Sequence, residues 1–227
     1  MIDKRVLKEV LDLALVNGGD FADIFIERKV VTGIGVEGSK IERVHSGIDI
    51  GAGIRVLAGD STAYAYTNDL SKDGLTEAAR IVSKATRGSK KEYDLDLRKI
   101  KPVVDFTFFE RPDEVSTQNK VAAVEAADQS ARAVDKSLIR QVMVSYADVV
   151  QQVIIANSFG GYVEDERIRT RLAVNAVAAE GDIIQTGYEA IGGLSGFELL
   201  KQFTPEETGK IAGSRAVQML HAQPAPA

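Results

Sequence analysis

The chain has 227 residues, 44% of them hydrophobic, and a formal net charge of −5 at neutral pH. That length and apolar content support one large or two small globular domains whose core needs no covalent staples. The mildly acidic balance argues against the basic face that nucleic-acid binding requires and against a polybasic membrane anchor, and the absence of cysteine excludes disulfides, a thiol nucleophile and thiolate metal sites.

Met1 to Arg5 pass at once into an amphipathic pattern with no apolar signal core. No stretch of about 18 apolar residues occurs, so no membrane span is expected and a cytoplasmic location is the default. Val6, Leu7, Val10, Leu11, Ala14 and Leu15 recur at helical spacing, and Asn17-Gly18-Gly19 supplies the stop. From Phe21 to Thr67 the period shortens to two. Asp23 to Ile26, Ile48 to Ile50 and Gly53 to Leu57 read as strands, separated by turns at Glu37-Gly38-Ser39, His45-Ser46-Gly47 and Ala58-Gly59-Asp60. Turns this short favour an antiparallel meander. A second helix carries Leu75, Ala78, Ala79, Val82 and Ala85 on one face, with Gly88 beyond its end. Ser89 to Pro112 is charged and irregular, and reads as a linker.

The order then recurs. Ser116 to Val134 is helical, with Val121, Val124, Ala127 and Ala131 on one side. Four strand-like runs follow, Gln141 to Tyr146, Val149 to Ala156, Arg167 to Ala178 and Asp182 to Tyr188. A last helix opens at Thr204-Pro205-Glu206-Glu207, where Thr caps, Pro takes the first helical position and Glu207 completes a capping box. The expected fold is therefore α+β, mainly antiparallel sheet covered by helices, with the option of two similar helix–four-strand–helix lobes. The lobes would be 1–88 and 113–203, joined by a linker at 89–112, with 204–227 a helix and a Pro/Ala connector.

Candidate sites are few, and each has a plain alternative. Gly33-Ile34-Gly35-Val36-Glu37-Gly38 spells G-x-G-x-x-G, but Lys40 to Val44 alternate like a second strand, so no helix N-terminus is available to hold a pyrophosphate. His45 and His221, the two histidines, are far apart and lack ligand spacing; a turn position and a helix end are the expectations. Asp94 and Asp96, and Glu164-Asp165-Glu166, lack the spacing of a calcium loop and read as solvated loops. Arg87-Gly88-Ser89-Lys90-Lys91 reads as wet surface beside a helix end. Gly193-Leu194-Ser195-Gly196 fails the nucleophile-elbow pattern by one residue and reads as a turn. No catalytic, metal-binding or substrate-binding residue is assigned.

Gly51-Ala52-Gly53-Ile54-Arg55-Val56-Leu57, followed by Ala63-Tyr64-Ala65-Tyr66-Thr67-Asn68-Asp69-Leu70-Ser71, resembles the N-terminal region of the TldD/PmbA proteins. Ile155-Ala156-Asn157-Ser158-Phe159-Gly160, Gln185 to Tyr188, Gly192-Gly193, Gly196-Phe197-Glu198 and Leu220 to Pro224 fit the same pattern, so the resemblance runs from Val6 to Pro226 and leans towards the TldD type. It implies the non-catalytic N-terminal part of a metallopeptidase that cleaves peptides or unstructured protein segments. Zinc, absent from this chain, would be held in a C-terminal domain by a His-Glu-x-x-x-His helix and a cysteine. The implied assembly is a homodimer, or a heterodimer with a PmbA/TldE-type subunit, and this chain alone would be inactive. Exposed strand edges could grip an extended peptide as an added strand. The alternative is a binding or assembly module, such as the front of a PmbA-type partner, and a third reading is a free-standing two-lobed binding protein.

Overall fold

The computed structural model describes residues 2–86, 95–101 and 106–223. Helix α1 (Lys4–Ala14) starts where the Asp3 carboxylate accepts from the Arg5 amide, and it buries Leu7, Val10, Leu11 and Ala14. Strands β1 (Phe21–Glu37), β2 (Lys40–Ala58) and β3 (Ser61–Thr67) follow, then α2 (Lys72–Ala85), capped by Ser71. The two-residue strand β4 (Arg98–Lys99) precedes α3 (Thr117–Ala133). Strands β5 (Ile139–Asn157), β6 (Gly161–Glu180) and β7 (Ile183–Gly193) lead to the short α4 (Leu199–Gln202) and to α5 (Pro205–Leu220). Thr204 caps α5 by accepting from the Glu207 amide, with proline in the first turn, as the sequence dictates.

The strands form a mainly antiparallel sheet in the order β3-β2-β1-β5-β6-β4, with β7 also pairing β6, so the fold is α+β. Strand β4 runs parallel to β6, Arg98 lying opposite Gly161. Two three-stranded meanders therefore meet at β1 and β5. Helix, three long strands, helix occurs twice, and the difference from four strands has local causes. Gln141 to Tyr146 and Val149 to Ala156 are one unbroken strand, because Ala147 and Asp148 keep the extended backbone. His45-Ser46-Gly47 is likewise not a turn but part of β2. Glu164-Asp165-Glu166 is not a loop; it lies in β6, where its backbone is absorbed by the ladder. Turns do occur at Gly38-Ser39, Gly59 and Gly181, each with positive φ.

Contacts divide the described residues into two compact units that do not follow the consecutive lobes 1–88 and 113–203. Unit 1 draws on 1–29, 48–105 and 151–166, and unit 2 on 30–47, 106–150 and 167–227; β1, β2, β5 and β6 each give one part to either. The physical reason is strand length: at about 3.3 Å per residue, strands of 17 to 20 residues are too long to belong to a single core. The 89–112 segment is more than a connector where it is described, since Leu95 is buried in the first core and β4 pairs with β6.

In unit 1, α1 and α2 cover the inward faces of the strands, and Leu7, Leu11, Ile24, Ile54, Leu75 and Val82 form a core of large side chains. Each such burial contributes about 1.5–3 kcal/mol. In unit 2, Val124, Val142, Val144, Leu172 and Val174 fill the core, but α5 packs by its backbone. A Cβ at Gly209 would lie 2.1 Å from the Ala127 carbonyl oxygen on α3, and one at Gly187 would lie 2.1 Å from that of Ala212. Small residues let α5 sit directly on α3 and β7.

Candidate functional site

The residues singled out from sequence are scattered. Gly33 and Gly35 lie inside β1 and Gly38 at the β1–β2 turn, so no helix begins there and the phosphate-loop pattern carries no anion site. His45 on β2 lies against Gly33, where an added Cβ would meet its ring at 2.0 Å. His221 follows α5 and stands 3.9 Å from Glu180, both largely exposed. Asp96 pairs with Arg98 at 3.2 Å, while Asp94 and 87–91 fall outside the described residues. Glu164 accepts from Lys99 and from the Tyr162 hydroxyl, each at 2.5 Å. Those bonds, Lys99 first, hold its carboxyl below the ordinary range, whereas burial and the same carboxylate push the Tyr162 phenol up to about 12. Ser195 donates to Glu198 at 2.9 Å, so its hydroxyl fixes a turn. Among the described residues no three His, Asp or Glu side chains converge as metal ligands.

The family-like motif falls on one place in unit 1. Alternation along β1 sends Ala22, Ile24 and Ile26 to the core and turns Phe25 outward, 43% exposed. On β2, Ala52, Ile54 and Val56 go in, and on β3 Ala63 and Ala65 pack against the same core while Tyr64 and Tyr66 stand out at 62% and 82% exposure. A concavity of about 670 Å³ opens on this outer face, lined by Phe25, Glu27, Asp49, Ile50, Tyr64 and Tyr66 among others. Gly53 matters here. A Cβ on it would lie 2.4 Å from the Tyr64 hydroxyl, so the ring lies over bare backbone. The Gln151 amide, 2.5 Å away, orients the Glu27 carboxylate, and Arg55 grips Asp23 with two bonds of 2.6 and 3.1 Å.

The exit from β3 is equally determined. The Asp69 amide donates to Thr67 Oγ1, the Ser71 amide to Asp69 Oδ1 and the Gly74 amide to Ser71 Oγ, a relay that turns Thr67-Asn68-Asp69-Leu70-Ser71 into the start of α2. The Ser71 backbone bond, chiefly, lowers the Asp69 pKa. Among the described residues β3 pairs only with β2 and is an edge strand beside the tyrosines.

Unit 2 holds a polar cluster that the sequence reading passed over. Lys120 Nζ, with 3% of its side chain exposed, donates to Asp148 Oδ2 at 2.6 Å and to Thr32 Oγ1 at 3.1 Å. The Tyr146 hydroxyl and Asp148 Oδ1 are buried without a hydrogen bond of acceptable geometry. Burial first, and the Asp148 charge next, push the phenol well above its usual range. The signal was present: Lys120 stands four residues before Val124 on the buried stripe of α3. Joining α3, β1 and β5 through Lys120, Thr32 and Asp148, the cluster reads as a pin between those three elements.

Comparison with known proteins gives a consistent result. The family model described as PmbA/TldA metallopeptidase domain 1 matches residues 22–131, and that for the central domain of the same family matches 110–220. A metalloprotease of Methanothermobacter thermautotrophicus is 34% identical over 210 residues, 91% of this chain and 45% of the relative. A metalloprotease of Methanocaldococcus jannaschii is 29% identical over 100% of this chain and 49% of its own length. A solved structure from Thermotoga maritima, described as a candidate modulator of a DNA gyrase, superposes with a TM-score of 0.78 at 20% identity, covering 98% of this chain and 50% of that one; it speaks to the fold alone. The chain thus spans about half the length of the curated relatives it matches.

Proposed function

Because this chain belongs to the PmbA/TldD metallopeptidase family, we propose that it is the non-catalytic N-terminal portion of a zinc peptidase, presenting peptides or unstructured protein segments for cleavage. The observation that carries the reading is the pair of family domains covering 22–220 in a chain that spans about half the length of its curated relatives. His45 is laid against Gly33 and His221 faces Glu180, so the histidines present do not fit zinc. On this proposal the metal and the catalytic groups belong to a part of the protein outside this chain, and a cytoplasmic setting suits the composition. The contribution of unit 1 is the tyrosine-rimmed face with the edge strand β3, on which an extended segment adds main-chain hydrogen bonds while its side chains enter the concavity.

Assembly with a second subunit, of its own or of the PmbA/TldE type, is part of the same proposal. Ile41 and Val44, 41% and 47% exposed in the unit 2 part of β2, supply apolar surface for it. Elemental analysis after dialysis, with a fluorogenic peptide assay on the same sample, tests the reading. Zinc well below about one per chain and no cleavage are expected. One tightly held zinc per chain, or hydrolysis by the chain alone, overturns it.

A further inference from the structure

Resting on the peptide-docking reading above, we propose that the open face of unit 1 is selective for cationic segments, taking the arginine or lysine side chains of an extended peptide into its concavity. The lining supplies the chemistry. Glu27 and Asp49 are its charged members, and no lysine or arginine lines it. The Gln151 amide orients Glu27 without cancelling its charge. Lys29 approaches Asp49 at 3.4 Å, but the Asp49 side chain remains 71% exposed, which leaves it open to a second cation. The Asp23–Arg55 pair on the same strands is internally neutral and adds no attraction for an anion.

The apolar part of the lining fits the same occupant. Tyr64 and Tyr66 present ring surface at 62% and 82% exposure, and a guanidinium laid over a tyrosine gains cation–π attraction together with planar stacking. Phe25 and Ile50, both partly open, give the aliphatic stem of an arginine or lysine something to cover. A volume of about 670 Å³ is enough for one or two such side chains. Gly53 keeps the floor clear, because any side chain there would displace Tyr64. An acidic segment would meet two carboxylates, of which only Asp49 has a cation, Lys29, beside it, so the face discriminates by repulsion as well as attraction.

The test is fluorescence anisotropy of the 227-residue chain with three fluorescein-labelled octapeptides, alternating Arg-Thr, Ser-Thr and Glu-Thr. The expected order of affinity is Arg-Thr, then Ser-Thr, then Glu-Thr, with about a tenfold step between the first two at low salt that shrinks by 0.5 M. Glu27→Gln with Asp49→Asn should remove the step, and Tyr66→Ala should weaken the Arg-Thr peptide about three- to fivefold while Tyr66→Phe restores it. Equal affinity of the wild type for all three peptides overturns the cation selectivity and leaves peptide docking standing. Selectivity that persists in the double variant also overturns it. If no peptide binds, the docking reading fails together with it. Circular dichroism of each variant separates lost binding from lost fold.

Discussion

The two units solve one packing problem in different ways. Unit 1 covers its sheet with α1 and α2 through large side chains, Leu7, Leu11 and Leu75 among them, and leaves an outer face bearing Phe25, Tyr64 and Tyr66 open to solvent. Unit 2 seats α5 on α3 through Gly209 and Gly213, almost backbone to backbone, and buries a lysine and an aspartate beside its apolar core. Large side chains can adjust when one is changed, because neighbouring rotamers take up part of the strain. A glycine contact or a buried charge pair has no such slack. Unit 2 should therefore be the stability-determining region and unit 1 the one whose outer face can take up a peptide.

The sharpest way to break that comparison is Asp148→Ala. It leaves the Lys120 ammonium buried beside Thr32 without its counter-charge, and the expected loss is about 3–5 kcal/mol in urea denaturation. The double change Lys120→Met with Asp148→Leu removes both charges and should recover most of that loss. If the single variant costs under about 1 kcal/mol, the pair is no pin and the contrast between the units dissolves.

Next in size is Gly209→Val. Its Cβ would sit 2.1 Å from the Ala127 carbonyl, so α5 must move away from α3, at a cost of about 3 kcal/mol. Gly35→Ala is the control within the same unit. A Cβ there meets nothing within 4 Å, and the change should be neutral or slightly stabilising. Similar melting temperatures for the two variants would show that backbone packing does not set the stability of unit 2.

These contrasts also mark what a sequence reader can and cannot see. Four of the five α-helices among the described residues were legible from apolar spacing, and Thr204 announced itself as the N-cap of α5. The α+β class followed from the change of period at Phe21. The strand count was not legible, since Asp148 looks like a break in an apolar run and in fact stays in β5, its charge met by Lys120 across a distance no local pattern encodes. The same holds for the site. Tyr64 and Tyr66 were noticed as part of a family-like motif, and their alternation with Ala63 and Ala65 was the available sign of an outward face. Glu27 and Asp49 join them only through strand pairing, which a one-dimensional reading does not supply.

A smaller effect sharpens the contrast in its dependence on pH. Glu198 in unit 2 is opposed by burial, but bonds from its own amide, the Gly196 amide, the Ser195 hydroxyl and the Glu110 amide together outweigh that and lower its pKa. A carboxylate with a lowered folded pKa contributes stability that is present above the unfolded value of about 4.3 and fades as pH falls through the folded value. Glu198→Gln should thus cost about 0.5–1 kcal/mol at pH 7, after solvent screening, and progressively less below pH 4. A cost that stays constant from pH 7 to 3 would assign the effect to the turn geometry rather than to the charge.

The smallest expected effect is the one that ties the comparison to function. Tyr66 is 82% exposed on an edge strand and lies opposite Gly53 in the register, so its ring covers little that water would otherwise reach. Replacing it with alanine removes modest β-propensity and no buried contact, and stability should change by less than about 0.5 kcal/mol. At this chain length that corresponds to a shift of no more than about 2 °C in melting temperature. A protein gains nothing in folding by holding an aromatic ring in water, and two such rings over a concavity need another reason to be there. A stable Tyr66→Ala chain that binds the cationic peptide about three- to fivefold more weakly supplies that reason. If instead the variant loses as much stability as Gly209→Val, Tyr66 belongs to the core of unit 1, and the division of labour between the units has been misread.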